Sequence, residues 1–195
     1  SGSITFNCSG AFSGRTVTLN YYIPSGDIAT MPVQLVMHGV DRNGSTYRNS
    51  WIEKANQYKV VILAPTFSEA QFPESDYQTG NIVDGNNNYN SQDKMIYTVI
   101  EDIFSFFVNN SDSKADGYNL WGHSAGGQFA HRFSIFAAAP HVKTIVAANP
   151  GWYTVPDASI KFPYGWGNLE TPIPAITTVS TSFGSTTFSP SPILR

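Results

Sequence analysis

The stretch Tyr118-Asn119-Leu120-Trp121-Gly122-His123-Ser124-Ala125-Gly126-Gly127 decides how this chain is read. Its opening residues favour a short strand, Tyr118 to Trp121, and Ser124 to Ala138 has the character of a helix. The strand must therefore pass into the helix within the pentad Gly122 to Gly126. A turn that sharp forces the serine into strained backbone angles, and the residues two positions away on either side must lack bulk. It lifts the serine hydroxyl above the carboxyl edge of a sheet, beside helix N–H groups that favour a developing negative charge. Ser124 is thus a candidate nucleophile and the Ala125 N–H a candidate oxyanion donor. A serine that only caps a glycine turn is the plainer alternative.

Outward from this point, strands alternate with helices. Thr16 to Ile23 is β-rich and stops at Pro24-Ser25-Gly26. Pro32 to Met37 is a continuous apolar strand that runs into His38-Gly39-Val40, and Val60 to Ala64 is another, stopped by Pro65. The spacing predicts helices over 46–58 and, capped by Ser91, over 92–109. Thr144 to Ala148 is a further apolar strand. Several strands apolar along their whole length imply a parallel sheet covered on both faces, so the expected fold class is α/β. Residues 1–195 read as a single domain with a Ser/Thr/Pro-rich tail over 171–195. Pro174 to Val179 is a possible strand within that tail.

Composition narrows the function. The chain has 195 residues, of which 41% are hydrophobic and 13% charged, with a net charge of -3. The scattered Lys and Arg side chains argue against nucleic acid as a partner. No apolar run approaches the roughly 20 residues needed to span a bilayer. Cys8 is the only cysteine, which rules out an intrachain disulfide and a Cys/His zinc cluster. Ser1-Gly2-Ser3 reads as a cloning remnant or a mature start, and no signal peptide is visible. Nothing in the sequence assigns an oligomeric state.

These motifs are similar to those of the α/β-hydrolase esterases of the polyhydroxybutyrate-depolymerase and feruloyl-esterase-like group. The matching residues are Leu35-Val36-Met37-His38-Gly39, Ala64-Pro65, Leu120 to Gly127, and Ala148-Asn149-Pro150-Gly151-Trp152-Tyr153. The resemblance covers roughly residues 15–165. It implies an α/β-hydrolase fold and hydrolysis of a small-molecule or polymeric carboxylic ester, of polyester or phenolic type, through an acyl-enzyme at Ser124. It implies no metal and no organic cofactor. It also implies a secreted or periplasmic setting. The loop after the third expected strand would supply the second oxyanion donor from Gly39 or Val40, with His38 as a ligand contact or a brace of that loop. Trp152 is a candidate substrate contact.

The pattern breaks at the base and the acid. A serine nucleophile needs a histidine, itself oriented by a carboxylate. The histidines are His38, His123, His131 and His141, and in the α/β-hydrolase order the base would follow them. His123 sits in the turn itself, and His131 is seven residues along the helix, about 10 Å away. His141 belongs at the opposite sheet edge, and His38 lies on the oxyanion side. Asp157 is the candidate acid, with a turn-forming role as the alternative. The expectation is therefore a hydrolase domain that has lost its C-terminal portion, or a binding module that kept the elbow without its triad. A second candidate, the alternating oxygens of Asp84, Asn86, Asn88, Asn90 and Asp93, lacks the glycine and the terminal glutamate of a calcium loop. The aromatics Phe67, Phe72, Tyr77 and Tyr89 are candidates to line the substrate cleft.

Overall fold

A computed structural model describes residues 1–169 together with the backbone of Thr181–Phe183 and Thr186–Phe188, two short strands that pair antiparallel. The possible strand from Pro174 to Val179 lies outside the described residues, as does most of the 171–195 tail.

Six strands form one sheet: β1 (Gly2–Asn7), β2 (Thr16–Tyr22), β3 (Val33–Met37), β4 (Val61–Thr66), β5 (Tyr118–His123) and β6 (Val142–Ala148). Their order is β1-β2-β4-β3-β5-β6. β1 and β2 run antiparallel to their neighbours, while β4, β3, β5 and β6 are mutually parallel. Gly2 and Ser3, read above as a remnant, are built into β1 opposite Tyr21 and Asn20. The expected α/β class and mostly parallel sheet are what the chain adopts.

The apolar strands alternate between two buried faces, because successive side chains of a strand point to opposite sides. Val33, Leu35, Val61 and Leu63 enter the larger core with α4 (Tyr97–Asn109) and α5 (Ala125–Phe136). Val36, Ile62 and Ala64 enter a smaller one against Ala55, Trp51 and Tyr47. These last residues belong to α1 (Gly44–Ser50), α2 (Ile52–Tyr58) and the junction between them. The single helix expected over 46–58 is therefore two. Trp51 closes α1 and opens α2, with its ring edge-on to Trp121 at 5.4 Å between centroids. Burying that ring on the sheet interrupts the helix.

Lys59 ends α2 in the left-handed region, at φ 54 and ψ 51. Glycine carries no Cβ penalty there. Lys59→Gly is expected to stabilise the protein by about 0.5–1 kcal/mol, a rise in melting temperature of roughly 2 °C. Only an exposed bond from Nζ to the Ser25 carbonyl is lost. A lower melting temperature would show that this bond outweighs the backbone term.

The helix expected from 92 starts later. Gln92–Lys94 is one 3-10 turn, Met95 is extended and fully buried, and α4 begins at Tyr97. Ser91 makes no side-chain cap. Gln92 instead closes the far end of α5, donating to the Phe136 carbonyl and accepting from the Ala138 N–H. The long segment between β4 and α4 is tied down by the Arg15–Asp76 ion pair and by α3 (Glu74–Tyr77). Phe67, Phe72 and Tyr77, expected in a cleft, are fully buried core residues, and Tyr89 packs partly buried against that core. The Asp84 carboxylate is turned into its own loop, where it accepts from the N–H groups of Asn86 and Asn88 and from the Asn88 amide.

Candidate active site

Ser124 stands between β5 and α5 at φ 57 and ψ -118, a conformation that costs about 1–3 kcal/mol outside glycine. Two backbone bonds hold it, from Ser124 N to the Ala148 carbonyl on β6 and from Gln128 N to the Ser124 carbonyl. The flanking glycines are required by close approach. A Cβ on Gly122 would lie 1.9 Å from the Gly126 carbonyl oxygen, and one on Gly126 would lie 2.3 Å from that of Met37. The elbow is thus wedged against the end of β3.

That wedge brings the His38-Gly39-Val40 loop to the serine. A Cβ on Gly39 would sit 3.7 Å from the Ser124 Cβ and 2.9 Å from the Tyr47 hydroxyl. Tyr47, on α1, was not singled out by sequence, because one tyrosine in a polar helix carries no motif. Its hydroxyl lies 3.2 Å from His123 Nδ1. Burial raises its pKa, and the Gly39 backbone pulls it partly back. The Val40 side chain is exposed. The Ala125 N–H, at the start of α5, has no intrahelical acceptor.

His38 is fully buried, and both ring nitrogens are occupied. Nδ1 donates to the Gly39 carbonyl at 2.8 Å, and Nε2 accepts from the Phe67 N–H at 3.0 Å. The ring stacks on Tyr77, whose hydroxyl donates to the His38 carbonyl. Arg42 completes the brace, reaching the Phe67 carbonyl and lying over the Tyr77 ring. Of the two parts open to His38, the structure assigns it the brace. Burial, with a smaller push from Arg42, lowers its pKa to about 4.

The other histidines also have work elsewhere. His131 meets the Thr154 backbone through Nε2 and is pushed down to about 4, chiefly by burial. His141 pairs with Glu101 at 2.5 Å, at the amino end of β5, where its carbonyl accepts from Tyr118 N. Among the described residues, no hydrogen bond reaches Ser124 Oγ, and none of the four histidines serves as its base. Asp157 is fully exposed and folds a turn. Its carboxylate accepts from the N–H and the hydroxyl of Ser159, which lower its pKa, and its carbonyl accepts from Trp166 N. Asp157, the candidate acid, is thus seen in the turn-forming arrangement, with its carboxylate bonded to Ser159. Trp152 lies half-buried, with the guanidinium of Arg132 over its ring and the Tyr164 ring tilted against it at 4.9 Å between centroids.

No family model and no curated protein matches the chain. Solved structures do. Poly(aspartic acid) hydrolase-1 from Sphingomonas sp. KT-1 is 37% identical with a TM-score of 0.77, over 88% of this chain. LpqC, the poly(3-hydroxybutyrate) depolymerase from Bordetella parapertussis, is 35% identical with a TM-score of 0.80, again over 88% of this chain. The chain belongs to the α/β-hydrolases. It spans 65% and 59% of the lengths of these two proteins. S-formylglutathione hydrolase (FrmB) from Staphylococcus aureus, at 18% identity and a TM-score of 0.52, shares the α/β-hydrolase fold over 75% of this chain. In this α/β-hydrolase chain the β5–α5 turn at Ser124, the His38–Val40 loop and the brace behind that loop all fall inside the described residues.

Proposed function

We propose that this chain carries the nucleophile half of a serine hydrolase acting on carboxylic esters, of polyester or phenolic type. The observation that carries the reading is the strained Ser124 at the β5–α5 junction with Gly39 packed beside it. Ser124 Oγ attacks the ester carbonyl, its proton passes to a base, and the alkoxide leaves as the alcohol. Water then releases the acid from the acyl-serine. The Ala125 N–H and the N–H of Gly39 or Val40 hold the oxyanion. The name of one similar structure, a poly(3-hydroxybutyrate) depolymerase, supports the polyester class.

The placement of the four histidines favours a second reading, a binding module whose serine is not activated. A fluorophosphonate probe separates the two. Labelling at Ser124 that disappears in Ser124→Ala is the expected result for the hydrolase. No labelling, together with p-nitrophenyl acetate turnover no faster than buffer, would overturn the hydrolase reading for this chain.

A further inference from the structure

Arg132 lies on α5, two turns beyond the nucleophile, and is fully buried. Its Nη1 donates to the carbonyls of Gln78 and Gln128, at 3.0 and 3.4 Å. Its Nε and Nη2, which share one edge of the planar guanidinium, have no partner among the described residues. No acidic side chain pairs with it there. Burial lowers its pKa to about 10, so it remains a cation at neutral pH. Glu74 acts on it only at a distance, raising its pKa slightly. A buried charge with no direct ion pair is costly, by several kcal/mol, so this edge is suited to an anion.

The neighbouring polar atoms sharpen the class of ligand. Tyr97 and Gln128 are buried, and the Tyr97 hydroxyl and Gln128 Oε1 are likewise unpartnered among the described residues. Gln128 is one helical turn before Arg132, on the same face of α5. The Nε–Nη2 edge is the fork that takes a carboxylate through two parallel hydrogen bonds. Tyr97 adds a donor, and Gln128 Oε1 adds an acceptor suited to an alcohol. The cover is Trp152, whose ring centroid lies 3.8 Å from the guanidinium carbon. We infer that Arg132, Gln128 and Tyr97 form a carboxylate site under Trp152, suited to a small hydroxy acid. A hydroxy acid is what hydrolysis of a polyester releases, but occupation of the site does not require Ser124 to react.

The test is a titration of the full chain, following the Arg132 Nε–Hε resonance by NMR, with 3-hydroxybutyrate, acetate and sodium chloride as probes. The expected result is a saturable shift with both carboxylates, and chloride at least about tenfold weaker because it cannot span the fork. Tighter binding of 3-hydroxybutyrate than of acetate marks the hydroxy acid as the source; equal binding marks a general carboxylate site. Trp152→Ala is expected to speed exchange, and Arg132→Lys to weaken binding about tenfold by losing the fork. Binding is expected to persist in Ser124→Ala, so absence of probe labelling at Ser124 bears on the ester reading alone. An Arg132 resonance that no carboxylate moves, or that chloride moves equally, overturns the inference, even if every Arg132 variant fails to fold.

Discussion

Acidification from pH 7 to pH 5 is expected to cost the fold about 4 kcal/mol through His38 and His131 alone. Both histidines have folded pKa values pushed from 6.5 down to about 4, with burial as the first cause. The unfolded chain therefore binds protons at these sites before the folded one does. Their contribution is fully present above pH 6.5 and is lost as the pH falls toward 4. Each contributes about 2 kcal/mol to the loss by pH 5, before most carboxylates titrate. The structural reason at His38 is specific: protonating Nε2 removes the acceptor for the Phe67 N–H in the brace behind the oxyanion loop. Urea unfolding at pH 7, 6 and 5 measures the loss, and His131→Gln is expected to remove about half of the pH dependence. A midpoint that stays level over this range would mean that water reaches both rings.

The other large effect is expected at Gly122. Alanine there would place its Cβ 1.9 Å from the Gly126 oxygen and 2.4 Å from its carbonyl carbon. Both are backbone atoms of α5, which is wedged against β3, so neither can yield as a flexible side chain would. Overpacking in a yielding core costs about 1–3 kcal/mol, and this rigid site is expected to exceed about 4 kcal/mol. That corresponds to a fall in melting temperature of roughly 10 °C for a chain of this size. Gly85→Ala serves as the control, because nothing lies within 4 Å of its Cβ position. Equal melting temperatures for the two variants would show that the elbow is looser than the close approach requires. Any Gly122→Ala protein that folds should also have a displaced Ser124 and lose probe labelling with it.

The elements legible in the sequence share one property: their signal is local. The alternation of Leu35 and Val36 between two cores is a period-two pattern, readable from residues that are neighbours in the chain. The glycines around Ser124 are demanded by a turn of five residues. The same local view failed where a long-range contact decided the outcome. Trp51 breaks its helix because Trp121, seventy positions away, packs against it. Gln92 leaves the expected helix to cap α5. Phe67, Phe72 and Tyr77 sit in a polar stretch with loop composition, yet Phe67 and Tyr77 pack on His38 and Phe129 as core, and Phe72 packs on Phe67.

The candidate site divides in the same way. The amino-acid sequence by itself determined the α/β class, the elbow, Ser124 as its apex and the loop at Gly39 and Val40. Only the tertiary structure decided the parts played by the charged and ring-bearing side chains. His38 became a neutral brace once burial and two backbone partners had claimed both its nitrogens. Asp157 became a turn residue because Ser159 lies within reach in open solvent. Arg132, unremarkable as one basic residue in an apolar helix, became a buried cation whose Nε and Nη2 have no hydrogen-bond partner among the described residues. Ionisation, burial and hydrogen-bond partnership depend on which distant atoms arrive beside a group, and the order of residues along the chain does not encode that arrival locally.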